Sequence, residues 1–179
     1  AEARHENSLQ KIKVLQKLGY KITEADVLPY AHKYIFKKHI VRYLFESGQE
    51  DKIFGHVYHK IFHGGGPGDF GIKYVNAADA VKVITESGGK AVLAHPGQQN
   101  NFEILPELKR AGLWGIELKH PVHNEYWQKI VLQAAADYGL YCTGGSDCHG
   151  IYSEKYHAVG SNLCPAAAAE ELLKQNKNS

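Results

Sequence analysis

Three short apolar segments of the sequence each end in an imidazole or a carboxylate. AVLAHP delivers His95, GIELKH delivers His120, and YCTGGSDCH delivers Asp147 and His149. Imidazole nitrogen and carboxylate oxygen together suit zinc, manganese or iron and need no thiolate. In parallel sheets ligands are taken at the carboxyl ends of the strands, where loops and helix N-termini converge. Residues serving only as core or surface filler would have no reason to share that end. Asp147 and His149, two apart, are a weak signal alone, but Gly144, Gly145 and Gly150 flank them with residues that accept the tight backbone of a sharp strand-end turn.

Other groups carry weaker signals. His120 and His123 form a pair in KHPVH. An imidazole there suits phosphate binding or proton donation near neutral pH, unless His123 merely opens a helix and His120 lies in a solvated loop. Glu117 alternates with Ile116 and Leu118 and is a buried ligand or an outer acceptor. His56, His59 and His63 would share a helix face, but the segment lacks the Glu of HExxH and reads as a solvated face. In KKHIVRYLF, Lys37 and His39 read as phosphate-binding residues or as a structural first turn. Cys148 should point away from its two neighbours, and Ser146 lacks the GxSxG spacing of a nucleophile elbow, so covalent catalysis is not favoured.

The elements that must position these residues follow from periodicity. Leu9, Ile12, Leu15 and Leu18 form a helical stripe closed by Gly19. Thr23 caps a second helix through Tyr30, Lys37 to Ser47 reads as a third ended by Gly48, and a fourth is expected over Glu50 to Phe62. HGGGPGDFG can only be loop. Beyond position 73 helices alternate with short apolar strands: helix Ala77 to Ser87, strand Ala91 to Pro96, helix Glu103 to Ala111, strand Gly115 to His120, helix His123 to Tyr138, and strand YCTGGSD. A last strand is expected over His157 to Asn162, before a helix over Ala166 to Lys174. Continuous rather than alternating strands indicate a parallel sheet buried on both faces, hence an α/β class. The expected division is 1–73 helical and 74–179 α/β.

Composition narrows the partners. The 179 residues, 44% hydrophobic and 22% charged, suit about one globular domain rather than a disordered chain or a coiled coil. A net charge of +2 is too small to demand a polyanion-binding surface. No apolar run is long enough to span a bilayer and the first residues lack a signal-peptide pattern, so a cytoplasmic location is expected. Three cysteines without CxxC spacing give neither a disulfide framework nor a four-thiolate zinc site. The eleven histidines are in excess of ordinary usage.

In order and spacing, AVLAHPG, GIELKHPVH and TGGSDCHG resemble the PHP (polymerase and histidinol phosphatase) family of metal-dependent phosphoesterases. KKHIVRYLFESG and the GGGPG loop resemble the insertion of its nucleotide- and RNA-directed branch. The resemblance implies a distorted (β/α)7 barrel with two or three divalent ions (Mn, Zn, Fe or Mg) at the strand ends. It makes His95, Asp147 and His149 metal ligands. It also puts Lys37 and His39 on substrate phosphate, and His120 or His123 on phosphate or on the leaving group. Where the branch often has Arg-Pro-His this chain has Lys37, Lys38 and His39, and lysine lacks the bidentate fork of arginine. The family opens with HxH, yet no two histidines here are separated by a single residue. The chain is therefore expected to be a partial barrel, the C-terminal part of a longer protein, with an open sheet edge available for association and no activity alone. The implied reaction is hydrolysis of nucleotide or short-RNA phosphate esters by a metal-activated water; the alternative is a degenerate scaffold or binding module.

Overall fold

The computed structural model describes residues 1–153 and 155–176 and divides into two compact units, Ala1–Tyr74 and Val75–Ser179. In the first unit, helix α1 (Glu2–Lys17) turns Ile12 and Leu15 into a core shared with Ile40, Val41 and Leu44 of α3 (Lys37–Glu46). Between them the short α2 (Glu24–Val27) starts at Thr23, whose hydroxyl accepts the Asp26 N–H while the Asp26 carboxylate accepts the Thr23 N–H. The helix expected over Glu50 to Phe62 contracts to one π turn, Val57–Ile61. The Val57 N–H, which a continuous helix would give to residue 53, donates instead to Glu50 Oε2 at 3.3 Å.

The second unit is built on three parallel strands in the order β1 (Val92–Leu93), β2 (Gly115–Lys119) and β3 (Tyr141–Gly144). Register is set by Val92 opposite Gly115 and Ile116 opposite Cys142. Helix α4 (Ala77–Glu86) is N-capped by Asn76, and α7 (Glu125–Tyr138) by Asn124, whose Oδ1 accepts the Trp127 N–H at 3.1 Å. The short α5 (Pro96–Gln99), α6 (Leu105–Arg110) and α8 (Ala166–Asn176) complete the unit. Helix α7 packs on β2 and β3, and Leu105, Leu108, Ile116, Leu118 and Val131 form the core.

Three expectations are corrected. Strand β1 is two residues long rather than six, because the chain turns out of the extended region at His95 and enters α5, for which the sequence gives no signal. The strands are not buried on both faces: β3 is half-buried throughout and Val92 is exposed. The segment 157–162 is a turn, not a strand; Ser161 N–H closes on the Ala158 carbonyl at 3.0 Å and Gly160 has φ +85°. Among the described residues no helix is long and apolar enough to cross a membrane.

Candidate metal centre

Each strand of the parallel sheet hands one group to its carboxyl edge. β1 leads to His95, β2 to His120, and β3 to the turn bearing Asp147 and His149. His95 and Asp147 both sit in the left-handed region, with φ +32° and +49°, a conformation that costs a side-chain-bearing residue about 1–2 kcal/mol. At His95 that cost is met by Glu117, whose Oε2 accepts the His95 N–H at 2.7 Å.

The groups make a continuous series. The His95 and His120 rings lie 5.4 Å apart between centroids, His120 Nε2 is 3.4 Å from Asp147 Oδ2, and His149 Nδ1 is 3.5 Å from Asp147 Oδ1. His95 Nδ1 is buried with no hydrogen-bond partner. A buried imidazole nitrogen left in this way is costly unless something satisfies it. His149 Nδ1 is 2.9 Å from the Asp147 carbonyl, so that nitrogen carries the proton and Nε2 keeps its lone pair, the pattern of a metal-ligating histidine. A buried nitrogen, a half-exposed carboxylate and an exposed imidazole nitrogen are a donor set suited to a borderline divalent cation. The set is open: among the described residues no three His, Cys, Asp or Glu groups close on one point as a metal cage.

His120 and His123 have a different character. Both are 4% exposed. His120 Nδ1 accepts the Val122 N–H at 3.3 Å, which leaves the proton on Nε2, a buried atom that faces Asp147. Burial pushes the His120 pKa down, against the opposing charges of Glu117 and Asp147, and keeps the ring neutral near pH 7. His123 is spoken for at both nitrogens: Nε2 accepts the Gly97 N–H at 3.1 Å, and Nδ1 donates to the Leu118 carbonyl at 3.1 Å. The solvated loop considered for His120 is therefore not what forms, and His123 has no nitrogen left for a leaving group.

In the first unit Lys37 and His39 are not partners. Lys37 Nζ lies 2.7 Å from His63 Nε2 and 4.7 Å from the centre of the Tyr58 ring. His39 is buried, and its Nδ1 accepts the Phe36 N–H at 3.1 Å, closing the first turn of α3. Sequence reasoning undervalued Glu117, which grips the backbone of one site residue, and overlooked Lys11, a lysine placed by the helical stripe of α1 on a buried position.

No protein-family model matches the chain. It is 39% identical over 158 residues to a phosphoribosyl 1,2-cyclic phosphate 1,2-diphosphodiesterase of Eggerthella lenta, covering 87% of this chain and 60% of that protein. It is 35% identical over 121 residues to a 3',5'-nucleoside bisphosphate phosphatase of Chromobacterium violaceum, covering 64% of this chain and 42% of that protein. Both relatives are phosphoesterases by name, in keeping with the resemblance of the strand-end motifs to the PHP family. The chain spans about two fifths to three fifths of the length of the curated relatives it matches. The chain also superposes on two solved structures. A Bifidobacterium adolescentis protein provisionally described as a metal-dependent phosphoesterase matches over 97% of this chain and 63% of its own, with a TM-score of 0.84 and 24% identity, a likeness of fold. An amidohydrolase of Chromobacterium violaceum with bound sulfate matches over 90% of this chain and 56% of its own, with a TM-score of 0.70 and 27% identity.

Proposed function

We propose that this chain carries the His95, Asp147 and His149 edge of a metal-dependent phosphoesterase that hydrolyses phosphate esters of nucleotides or short nucleic acids. The observation that carries the reading is the unsatisfied buried Nδ1 of His95 at the same sheet edge as the Asp147 carboxylate and the unprotonated Nε2 of His149. The two curated relatives, a diphosphodiesterase and a nucleoside bisphosphate phosphatase, support the reaction class. On this reading the three strands belong to a distorted (β/α)7 barrel and the first unit is its helical insertion.

A manganese, zinc, iron or magnesium ion at these residues would supply positive charge to the phosphoryl oxygens and lower the pKa of a water. The chain's own residues do the rest by position. Glu117 fixes the main chain of His95, the buried His120 Nε2 lies 3.4 Å from the Asp147 carboxylate without a hydrogen bond to it, and His123 ties Gly97 at the start of α5 to β2. His123 is thus a positioning residue rather than a proton donor, while His120 keeps an unpartnered Nε2 at the same edge. Because the described residues offer an open donor set, the 179-residue chain should bind a nucleotide with its ion yet turn over little. Calorimetric titration of a nucleoside bisphosphate is expected to show manganese-dependent binding that is lost in Asp147→Asn, with phosphate release no faster than a metal-only blank. Binding indifferent to both manganese and Asp147→Asn would instead favour a scaffold module.

A further inference from the structure

The amino edge of the sheet, opposite the histidine edge, holds a cavity of about 300 Å³. That volume lies at the lower end of the range for small-molecule sites. Its walls are the turns that close α4, α6 and α7, together with residues that lead into the strands. Glycines make these turns. Gly112 and Gly139 have φ +105° and +57°, and the Gly89, Leu113 and Leu140 N–H groups donate back to the Ile84, Leu108 and Ala135 carbonyls at 2.8–2.9 Å. Helix carbonyls at this edge are thereby taken up by the chain itself. The space beside Gly139 stays open, since a Cβ there would meet no atom within 4 Å.

The side chains around the cavity are aromatic and cationic. Trp114 and Tyr141, both half-buried, stack with ring centres 4.6 Å apart and planes 16° from parallel. Lys90 and Lys109 line the same cavity and no acidic residue does. Lys109 Nζ donates to the Gly139 carbonyl at 3.1 Å, which leaves two of its three N–H donors. Lys90, also half-buried, has no hydrogen bond or ion pair among the described residues, and neither the Trp114 indole N–H nor the Tyr141 hydroxyl has a hydrogen bond there. Thr85 commits its hydroxyl to the Val81 carbonyl at 2.9 Å. Each of the three helix C-termini carries at most roughly half a negative charge, so two ammonium groups outweigh them.

We propose that this cavity is a second ligand site, separate from the histidine edge, for a nucleoside monophosphate. Aromatic faces take the flat ring of a base, whatever its sequence of heteroatoms, and ammonium groups take the phosphate through charge-assisted hydrogen bonds. The unpartnered indole N–H and phenol O–H match the acceptor-rich edges of a base. An uncharged ring would leave Lys90 without a counter-charge, and a bare anion would leave the aromatic faces unused. Both halves of the ligand are therefore specified by the lining. The site needs no metal and draws on none of His95, Asp147 and His149.

Adenosine 5′-monophosphate titrated into the full chain in EDTA, at constant ionic strength, should give saturable shifts of the Gly89, Gly112 and Gly139 amides. Lys90→Met removes one charge-assisted contact and should weaken binding roughly tenfold or more. Trp114→Leu removes a stacking face and should weaken it by roughly tenfold as well. Ribose 5-phosphate, which has the phosphate without the base, should bind roughly tenfold more weakly than the nucleotide. Asp147→Asn should leave the shifts unchanged. If Trp114→Leu does not fold, Lys90→Met and the ribose 5-phosphate comparison decide, since Lys90 lies outside the core cluster. Absence of saturable shifts at these glycines, wild-type affinity in Lys90→Met, or ribose 5-phosphate binding as tightly as the nucleotide overturns the proposal. Shifts that require manganese and vanish in Asp147→Asn place the nucleotide at the histidine edge; the phosphoesterase reading then stands and the second site falls.

Discussion

Replacing Glu117 by alanine separates a residue that holds His95 in place from one that merely fills the sheet. The Glu117 carboxylate accepts the His95 N–H at 2.7 Å, a charge-assisted bond worth about 1.5–3 kcal/mol. His95 is held at φ +32°, and once released it can relax to an ordinary backbone conformation, recovering about 1–2 kcal/mol. The two effects oppose, so Glu117→Ala should cost only about 1 kcal/mol of folding stability. The relaxation moves the His95 imidazole, and loss of such outer supports commonly weakens metal affinity about 10–100-fold. Small loss of stability with large loss of affinity is the expected signature. The two tryptophans, Trp114 and Trp127, both lie in the second unit, so denaturant unfolding followed by their fluorescence reads the stability term. Calorimetric titration with zinc reads the other. Glu117→Gln keeps an amide oxygen as acceptor and should fall between wild type and alanine. Unchanged zinc affinity in Glu117→Ala, or a stability loss above about 3 kcal/mol with affinity intact, would refute the positioning argument.

His123→Ala leaves the Gly97 N–H and the Leu118 carbonyl without partners inside the unit, and at about 1–3 kcal/mol for each orphaned group the tryptophan-detected stability should drop by about 2–4 kcal/mol; a variant as stable as wild type would reopen the proton-donor role. Gly97→Ala would bring a Cβ to 2.8 Å from the Trp127 ring and 2.9 Å from His123 Cδ2, so a lowered melting temperature is expected, and an unchanged one would contradict the packing described for α5 and α7. His39 has its pKa lowered by burial, then by Lys38 and Arg42, so the unfolded chain binds a proton that the folded one resists. Stability should accordingly be full above about pH 6.5 and fall as the pH drops below it. His39→Gln keeps an acceptor for the Phe36 N–H without titrating and should flatten that part of the melting-temperature profile; an identical slope would count against it.

The sequence made the strand-end chemistry readable because a parallel strand has only one carboxyl end, so His95, His120 and Asp147 had to emerge on the same side once the strands were recognised. It could not reveal which of them stay accessible. His120 and His123 differ from His149 only in what the chain does nearby: Val122 N–H, Gly97 N–H and the Leu118 carbonyl occupy or orient their nitrogens, and none of these contacts has a spacing rule. Glu117 was visible as an alternating polar residue, but its grip on His95 spans 22 positions and depends on strand register. The apolar stripe of Ile12 and Leu15 forms α1 and the Thr23 cap opens α2, as their signals imply, whereas α7 starts at Glu125 rather than His123 because Asn124 caps it. The irregular run before Val57 departs from its signal, since one glutamate side chain, Glu50, diverts the amide that would have continued the helix. The turn over 157–162 had the apolar content of a strand, but Gly160 at positive φ closes it locally.

Zinc stoichiometry after exhaustive dialysis tests the central claim most directly, measured by elemental analysis on wild type, His95→Ala, Asp147→Asn and His149→Ala, with His157→Ala as the control. About one zinc per chain in the wild type and the control, reduced to background in each of the other three, is the outcome expected if those residues share an ion. Zinc retained in all of the variants, or absent from the wild type, would contradict it.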